Sequence, residues 1–103
     1  IIHMPKIYEY LGIIFFFYSN DHKPIHVHGQ KGEFESKAIF IFENEEIIEI
    51  QISNINGKKP LKGKDLLNFR IFVSTYHFQI VNKWESYFKE KKKVEFEVIS
   101  KIK

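Results

Sequence analysis

Apolar residues alternate with polar ones in the first half of the chain and follow a helical spacing in the second half. Residues 12–19 are almost continuously apolar and aromatic, which indicates a strand buried on both faces and therefore central in a sheet. Further strands are predicted at 25–29, 33–42 and 46–53, the last with isoleucine at every second position. A loop bounded by glycines at 29–32 predicts a hairpin between the second and third strands.

From residue 64 to about residue 91 the apolar side chains recur at steps of three and four, which predicts a helix packed on a core. Ser74 and Thr75 are candidates for dividing it into two. Its apolar surface is wide, which indicates either deep burial or a protein partner on its second face. With a final strand at 94–98, the pattern predicts an α+β fold: a small antiparallel sheet of about four to five strands packed on one long or two shorter helices.

The length of 103 residues predicts a single domain over 1–103. Met4 is a candidate for the natural start, and residues 1–3 are expected to derive from expression or from an upstream start, or to be unstructured. Cysteine is absent, so a metal site would use His, Asp or Glu side chains. The longest apolar run is far too short for a membrane span, and the start lacks the pattern of a secretory signal. We therefore expect a cytoplasmic protein that does not enter a membrane.

The chain carries a net charge of +3, which weakly favours an anionic partner. Almost all of its basic residues are lysines, and Arg70 is the only arginine. One lysine-rich loop precedes the predicted helix and could contact the backbone of RNA or DNA; the alternative is a solvated surface. The candidate nucleic-acid-binding residues there are Lys58, Lys59, Lys62 and Lys64.

The segment 21–35 contains three of the five histidines of the chain and three carboxylates. On a strand, His26 and His28 leave the same face. A four-residue hairpin loop would place His28 opposite Glu33 and His26 opposite Glu35. The hairpin is therefore predicted to carry one apolar face and one face of imidazoles and carboxylates.

Three kinds of chemistry are consistent with this polar face. His26, His28 and Glu33 could bind a divalent transition metal such as zinc and leave one coordination position open. His26 and His28, assisted by Glu35, could instead act as acid and base in a hydrolase or ribonuclease. The third reading is a polar cross-strand ladder without catalysis. Asp21 and His22, in the turn before the strand, are candidate accessory residues, and whether the protein is an enzyme stays open.

The motif Asp21-His22-x-Pro24-x-His26-x-His28, followed by Gly32-Glu33-x-Glu35, resembles a small bacterial family, domain of unknown function 4160. Met4-Pro5 and the region around Trp84 are also similar to that family. The resemblance implies a compact α+β domain and a shared histidine segment. It also implies a gene arrangement similar to toxin–antitoxin operons, and hence a protein partner or a homodimer. The leading functional hypothesis is therefore a toxin–antitoxin-like or defence-associated interaction module, with the hydrolase and the nucleic-acid-binding protein as alternatives.

Overall fold

A six-stranded β-sheet with helices on one face makes up the frame of residues 3–102, the part of the chain that this computed structural model describes. The order across the sheet is β5-β4-β3-β2-β1-β6. Neighbouring strands are antiparallel, except that β6 runs parallel to β1. The α+β class is confirmed, and β2 lies inside the sheet as predicted. In chain order the strands are β1 (Lys6–Tyr10), β2 (Ile13–Phe16), β3 (His26–Lys31), β4 (Phe34–Glu43), β5 (Glu46–Asn54) and β6 (Glu97–Ile99).

The first strand is the element that the sequence analysis missed, and it brings the number of strands one above the predicted range. Its sequence contains the β-branched and aromatic residues that strands favour, and Ile7, Tyr8 and Tyr10 are buried. The prediction for Ile1 and Ile2 lies outside the described residues. His3 is described, and its backbone carbonyl accepts a hydrogen bond from the Ser19 N–H at 2.8 Å.

Two helices follow the sheet hairpins: α1 (Gly63–Thr75) and α2 (His77–Trp84), the latter continued by a π-helical turn over Glu85–Lys89. The predicted division near Ser74 and Thr75 is confirmed, because Tyr76 leaves helical geometry with φ of −103° and ψ of 16°. Among residues 3–102, no helix is both long enough and apolar enough to cross a bilayer.

The helices pack on the sheet face that we call the helix face. The Phe15 and Phe69 rings stack there with centroids 5.5 Å apart. Gly29 of β3 lies below α1, and a Cβ atom at this position would come within 2.4 Å of the Phe69 ring. Only glycine permits this close approach. The fully buried core side chains on this face include Ile7, Ile13, Phe15, Phe17, Val27, Phe40, Phe69, Phe72, Val73 and Ile80.

The predicted register of the histidine hairpin is wrong by four residues. β3 continues through Gly29 to Lys31, so the turn consists of Gly32 and Glu33 alone, and Lys31 pairs with Phe34. His28 consequently lies opposite Lys37, and His26 opposite Ile39. The glycine at 29 reads as a turn signal in the sequence, but here it serves the packing of the helix. Because side chains alternate with a period of two, a register shift of four residues leaves each side chain on its predicted face of the hairpin.

A bulge in β5 breaks the predicted alternation of isoleucines. Ile41 pairs with Glu49, whereas Phe42 pairs with Ile47, so Ile48 is the extra residue. Its side chain is 57% exposed, while Ile50 and Ile52 pack against the core as predicted. The bulge lets Ile47 contact the core in place of Ile48.

Candidate functional site

The histidines of β3 leave the sheet face opposite the one that α1 covers, which we call the site face, and the His26 ring also contacts Trp84 of α2, with ring centroids 5.3 Å apart. A Cβ atom at Gly29 would point towards α1. Because side chains alternate along a strand, the side chain of the neighbouring His28 points away from α1. His28 pairs with Phe16 of β2, and their rings stack with centroids 5.3 Å apart. Glu35 of β4 lies diagonally across from His28, on this same face. The predicted polar face of the hairpin therefore exists, with a different set of neighbours.

Asp21 occupies the centre of the cluster, although the sequence analysis gave it only an accessory role. The turn after β2 folds back on itself: the Tyr18 N–H donates to Asp21 Oδ2 at 2.8 Å, and the Asp21 N–H donates to the Tyr18 carbonyl at 2.9 Å. This turn directs the carboxylate towards β3. Asp21 Oδ1 lies 3.4 Å from His26 Nε2, and Oδ2 lies 3.3 Å from His28 Nε2.

Glu35 lies behind His28 and is completely buried. Its Oε2 is 3.3 Å from His28 Nδ1, and the Tyr18 hydroxyl donates to both carboxylate oxygens, at 3.1 and 3.3 Å. Lys58 Nζ approaches Oε1 at 4.0 Å from the surface. The prediction that Glu35 lies beside the histidines agrees with this geometry, through the diagonal contact to His28 rather than the expected pairing with His26.

His28 is 5% exposed, and neither of its ring nitrogens makes a hydrogen bond to the described residues. The carboxylates of Asp21 and Glu35 lie at ion-pair distance from the two nitrogens, without hydrogen-bond geometry. The ring itself is held between Phe16 and Tyr18, the latter in an edge contact at 4.6 Å. A buried imidazole fixed by aromatic packing but lacking hydrogen bonds is unusual, because buried polar atoms are normally paired.

His26 has a defined tautomer. Its Nδ1 lies 2.8 Å from the carbonyl oxygen of Pro24, which can only accept a hydrogen bond, so Nδ1 carries the proton. In the neutral ring, the free electron pair of Nε2 then faces Asp21 Oδ1. Two electron-rich atoms at this separation require a cation between them, either a second proton or a metal ion.

Charges in the cluster shift two pKa values. Burial alone would raise the pKa of Asp21, but contacts with His26 and His28 and the hydrogen bond from the Tyr18 N–H outweigh it, so the pKa falls well below its usual range. Burial, together with the charge and hydrogen bond of Glu35, raises the pKa of the Tyr18 hydroxyl to about 12. Asp21 is therefore ionised and Tyr18 protonated at neutral pH.

A depression of about 300 Å³ opens beside Asp21 and His26. His22 lines it and is exposed, so the structure brings this predicted accessory residue to the entrance of the cluster. Lys23 and Lys37 also line the depression. Neither lysine is among the site residues predicted from the sequence.

Glu33, the predicted carboxylate ligand, does not join the histidines. It lies in the exposed turn between β3 and β4, and its Oε1 is 3.4 Å from Lys59 Nζ. The shorter turn is the physical reason, because it moves Glu33 out of the strand. Within residues 3–102, the group whose potential ligand atoms all lie within 4.8 Å of one another is Asp21, His26 and His28. Asp21 takes the place predicted for Glu33, and the sequence carried a signal for it: an aspartate in the turn that precedes β3.

The four candidate nucleic-acid-binding lysines do not form one free basic surface. Lys58 approaches Glu35 and Lys59 pairs with Glu33. Lys62 lies over the Phe34 ring at 5.3 Å, and Lys64 is exposed at the start of α1. Binding of RNA or DNA by this loop stays a prediction.

The fold and the cluster define a small α+β protein with histidines and carboxylates on the sheet face opposite the one that α1 covers. The chain belongs to the domain of unknown function family DUF4160, whose family model matches residues 12–85. The resemblance seen in the sequence is thus confirmed. The matched segment contains the whole cluster, whereas β1 and β6 lie outside it. No curated protein and no solved structure matched the chain.

Proposed function

We propose that this protein binds a divalent transition metal through Asp21, His26 and His28 and uses it in hydrolysis. The observation that carries the proposal is the buried His28, whose Nε2 faces Asp21 without a hydrogen bond. Two imidazoles and one carboxylate are a common ligand set for zinc and for iron.

Two nitrogen–oxygen distances in the cluster, each to a different oxygen of Asp21, are close to those between neighbouring zinc ligands, and the three ligand atoms lie within 4.8 Å of one another. Ligand atoms about 2.0–2.2 Å from zinc are separated from each other by about 3.3–3.6 Å in a tetrahedron. The contacts from Asp21 to His26 Nε2 and His28 Nε2 are 3.4 and 3.3 Å. A cation between these atoms would also remove the repulsion between the free electron pair of His26 and the carboxylate.

Glu35 would orient His28 in this arrangement. With Nε2 directed to the metal, the Nδ1–H would face Glu35 Oε2, which lies 3.3 Å away. A carboxylate behind a ligating histidine fixes its tautomer and raises its basicity. Tyr18, protonated at neutral pH, would in turn hold Glu35 in place.

Three protein ligands leave a coordination position for water or substrate, and the depression beside His26 gives access to it. When bound, the metal would lower the pKa of a water molecule or polarise a substrate oxygen. This chain would contribute the ligands and their orientation. The candidate catalytic set of the sequence analysis is thereby reassigned: His26 and His28 as ligands, and Glu35 as a positioning residue.

The test is metal analysis of untagged protein by mass spectrometry, with zinc affinity measured by titration calorimetry. We expect one equivalent of metal per chain. Asp21→Asn should lower the affinity by more than the roughly 10- to 100-fold typical of outer-shell changes. The matched control is His77→Gln, because His77 contacts the Ser74 carbonyl outside the cluster. Equal affinities of Asp21→Asn and the control, or no metal binding at all, would refute the proposal.

The interaction module is the second candidate. Its support is a set of exposed apolar side chains on the two helices, with Leu67, Ile71 and Phe78 exposed by 56%, 40% and 67%. We propose that these side chains contact a small protein encoded beside this one, the partner that the family resemblance implies. Co-expression with the neighbouring gene product, followed by light scattering, tests this. Leu67→Ser with Phe78→Ser should abolish a complex that the His26→Ala/His28→Ala double variant retains. A monomer that binds no neighbour contradicts the hypothesis.

A further inference from the structure

The depression beside the cluster carries an excess of positive charge. Its lining includes Lys23 and Lys37 but only one carboxylate, Asp21, which is already in contact with both histidines. No carboxylate of the described residues lies within 4 Å of either lysine. A divalent cation in the cluster would add to this charge.

Lys37 is the more informative of the two lysines. It projects from the middle of β4, directly opposite His28, and is half-buried. In the described part of the chain one other lysine is half-buried, Lys83, and its Nζ lies 2.9 Å from Glu97 Oε2. Among the described residues, the polar side-chain atoms that are fully buried without a hydrogen bond belong to His28, so the Lys37 ammonium group stays accessible to solvent and to a ligand in the depression. Lys83 has its counter-charge within the protein, whereas Lys37 does not.

We propose that the depression binds the phosphoryl group of a substrate or ligand, with Lys37 as a binding residue. This inference rests on the proposed metal site and specifies what that site accepts. A phosphoryl group carries several negatively charged oxygens, so it can contact a metal ion and an ammonium group at the same time. A carboxylate has fewer oxygens and less charge to share between the two. Lys23, exposed at the rim, adds attraction at longer range.

The experiment titrates inorganic phosphate into cobalt-loaded protein and follows the visible cobalt spectrum together with the heat of binding. The variants are Lys37→Gln and Lys37→Arg, and the matched control is Lys64→Gln, which removes an exposed lysine outside the depression. Loss of one charge-assisted contact should weaken phosphate binding about tenfold in Lys37→Gln. Lys37→Arg should retain most of it, and the control should equal wild type.

Further titrations use acetate as an anion without a phosphoryl group, and a nucleoside monophosphate and a short single-stranded RNA as larger molecules that carry one. Stronger binding of the nucleotide or RNA than of phosphate, with the same dependence on Lys37, assigns the phosphoryl group to that larger molecule. Acetate binding as tight as phosphate binding, or an equal loss in Lys37→Gln and Lys64→Gln, overturns the inference.

Cobalt binding and phosphate binding are measured separately, so failure of the proposed metal site can be told from failure of the phosphoryl site. Cobalt binding without phosphate binding leaves the proposed function intact and refutes this inference. Absence of cobalt binding refutes the proposed function. Phosphate is then titrated into the metal-free protein to test the depression without the metal. If Lys37→Gln and wild type bind phosphate with the same affinity in that titration, the inference is refuted as well.

Discussion

The two faces of the sheet use buried side chains in different ways. On the helix face, aromatic rings fill the space between sheet and helices, as with Phe15, Phe69 and Phe72, whose rings stack at 4.4–5.5 Å. On the site face, the buried side chains include Glu35 and His28, an acid and a base that burial alone would destabilise. The first arrangement accounts for stability by apolar burial. The second arrangement is what the proposed metal site would require, because metal ligands must be held in fixed positions.

The largest effect should come from breaking the helix face. Phe69→Ala removes a fully buried ring that stacks on Phe15, and we expect a loss of about 3–5 kcal/mol in unfolding free energy. Leu67→Ala, on the exposed side of α1, should change it by about 0.5 kcal/mol or less. Urea denaturation measures both, and similar losses in the two variants would contradict the assignment of the faces.

The hydrogen bonds of Tyr18 should contribute less. Tyr18→Phe keeps the ring beside His28 but removes the hydroxyl that donates to the buried Glu35, and the expected loss is about 1.5–3 kcal/mol. Tyr87→Phe is the matched control, since within the described residues the Tyr87 hydroxyl has no hydrogen bond. A denaturation curve of Tyr18→Phe that coincides with the control would show that this bond does not stabilise the site face.

Glu35 itself should affect metal affinity more than folding. Glu35→Gln keeps an acceptor for Tyr18 but removes the negative charge behind His28, so zinc affinity should fall about tenfold. Glu33→Gln removes a charge two residues away, in the exposed turn, and should leave the affinity unchanged. Calorimetric titration of both variants decides whether Glu35 acts on the ligand.

The smallest effect concerns the dependence of stability on pH in the metal-free protein. The pKa of Asp21 is lower in the folded state than its ordinary value of 3.8, so its ionised form stabilises the fold. This contribution is complete above the ordinary value and is lost as the pH falls from there towards the lower folded pKa. Asp21→Asn should therefore lie about 1 kcal/mol below wild type at pH 7.

The difference between the two proteins should narrow as the pH is lowered from 4 to 2. Urea titrations of chelator-treated protein across this range measure it, and other carboxylates affect both curves alike. Asp65→Asn serves as the control because Asp65 pairs with Lys31 at the surface. A difference that stays constant or widens in acid would contradict the direction of the Asp21 shift.

Much of the fold could be predicted because it depends on local periodicity. The alternation in β3 to β5 and the helical spacing after residue 63 are properties of short segments, and each predicted element exists near its expected position. β1 was missed although its residues suit a strand. Its parallel pairing with β6 joins the two ends of the chain, and no local pattern reports such a contact.

The candidate site was predicted less completely for a related reason. The common face of His26 and His28 follows from the alternation of side chains alone. Glu35 lies on the same face whenever the register shifts by an even number of residues. Two turns decided which carboxylate joins the histidines. The short turn between β3 and β4 excludes Glu33, and the turn after β2 folds back and brings in Asp21. The position of Lys37 could not be predicted for the same reason, because Lys37 lies opposite His28 only when the turn has two residues.

The sequence by itself determined the fold class, the family, and the presentation of two histidines on one sheet face, because residue spacing encodes which side chains share a face. Only the tertiary structure decided that Asp21 completes the cluster, that Glu35 is buried behind His28, and that Glu33 faces solvent. Those relations join separate elements, and they depend on turn geometry and on the close packing of α1 over Gly29.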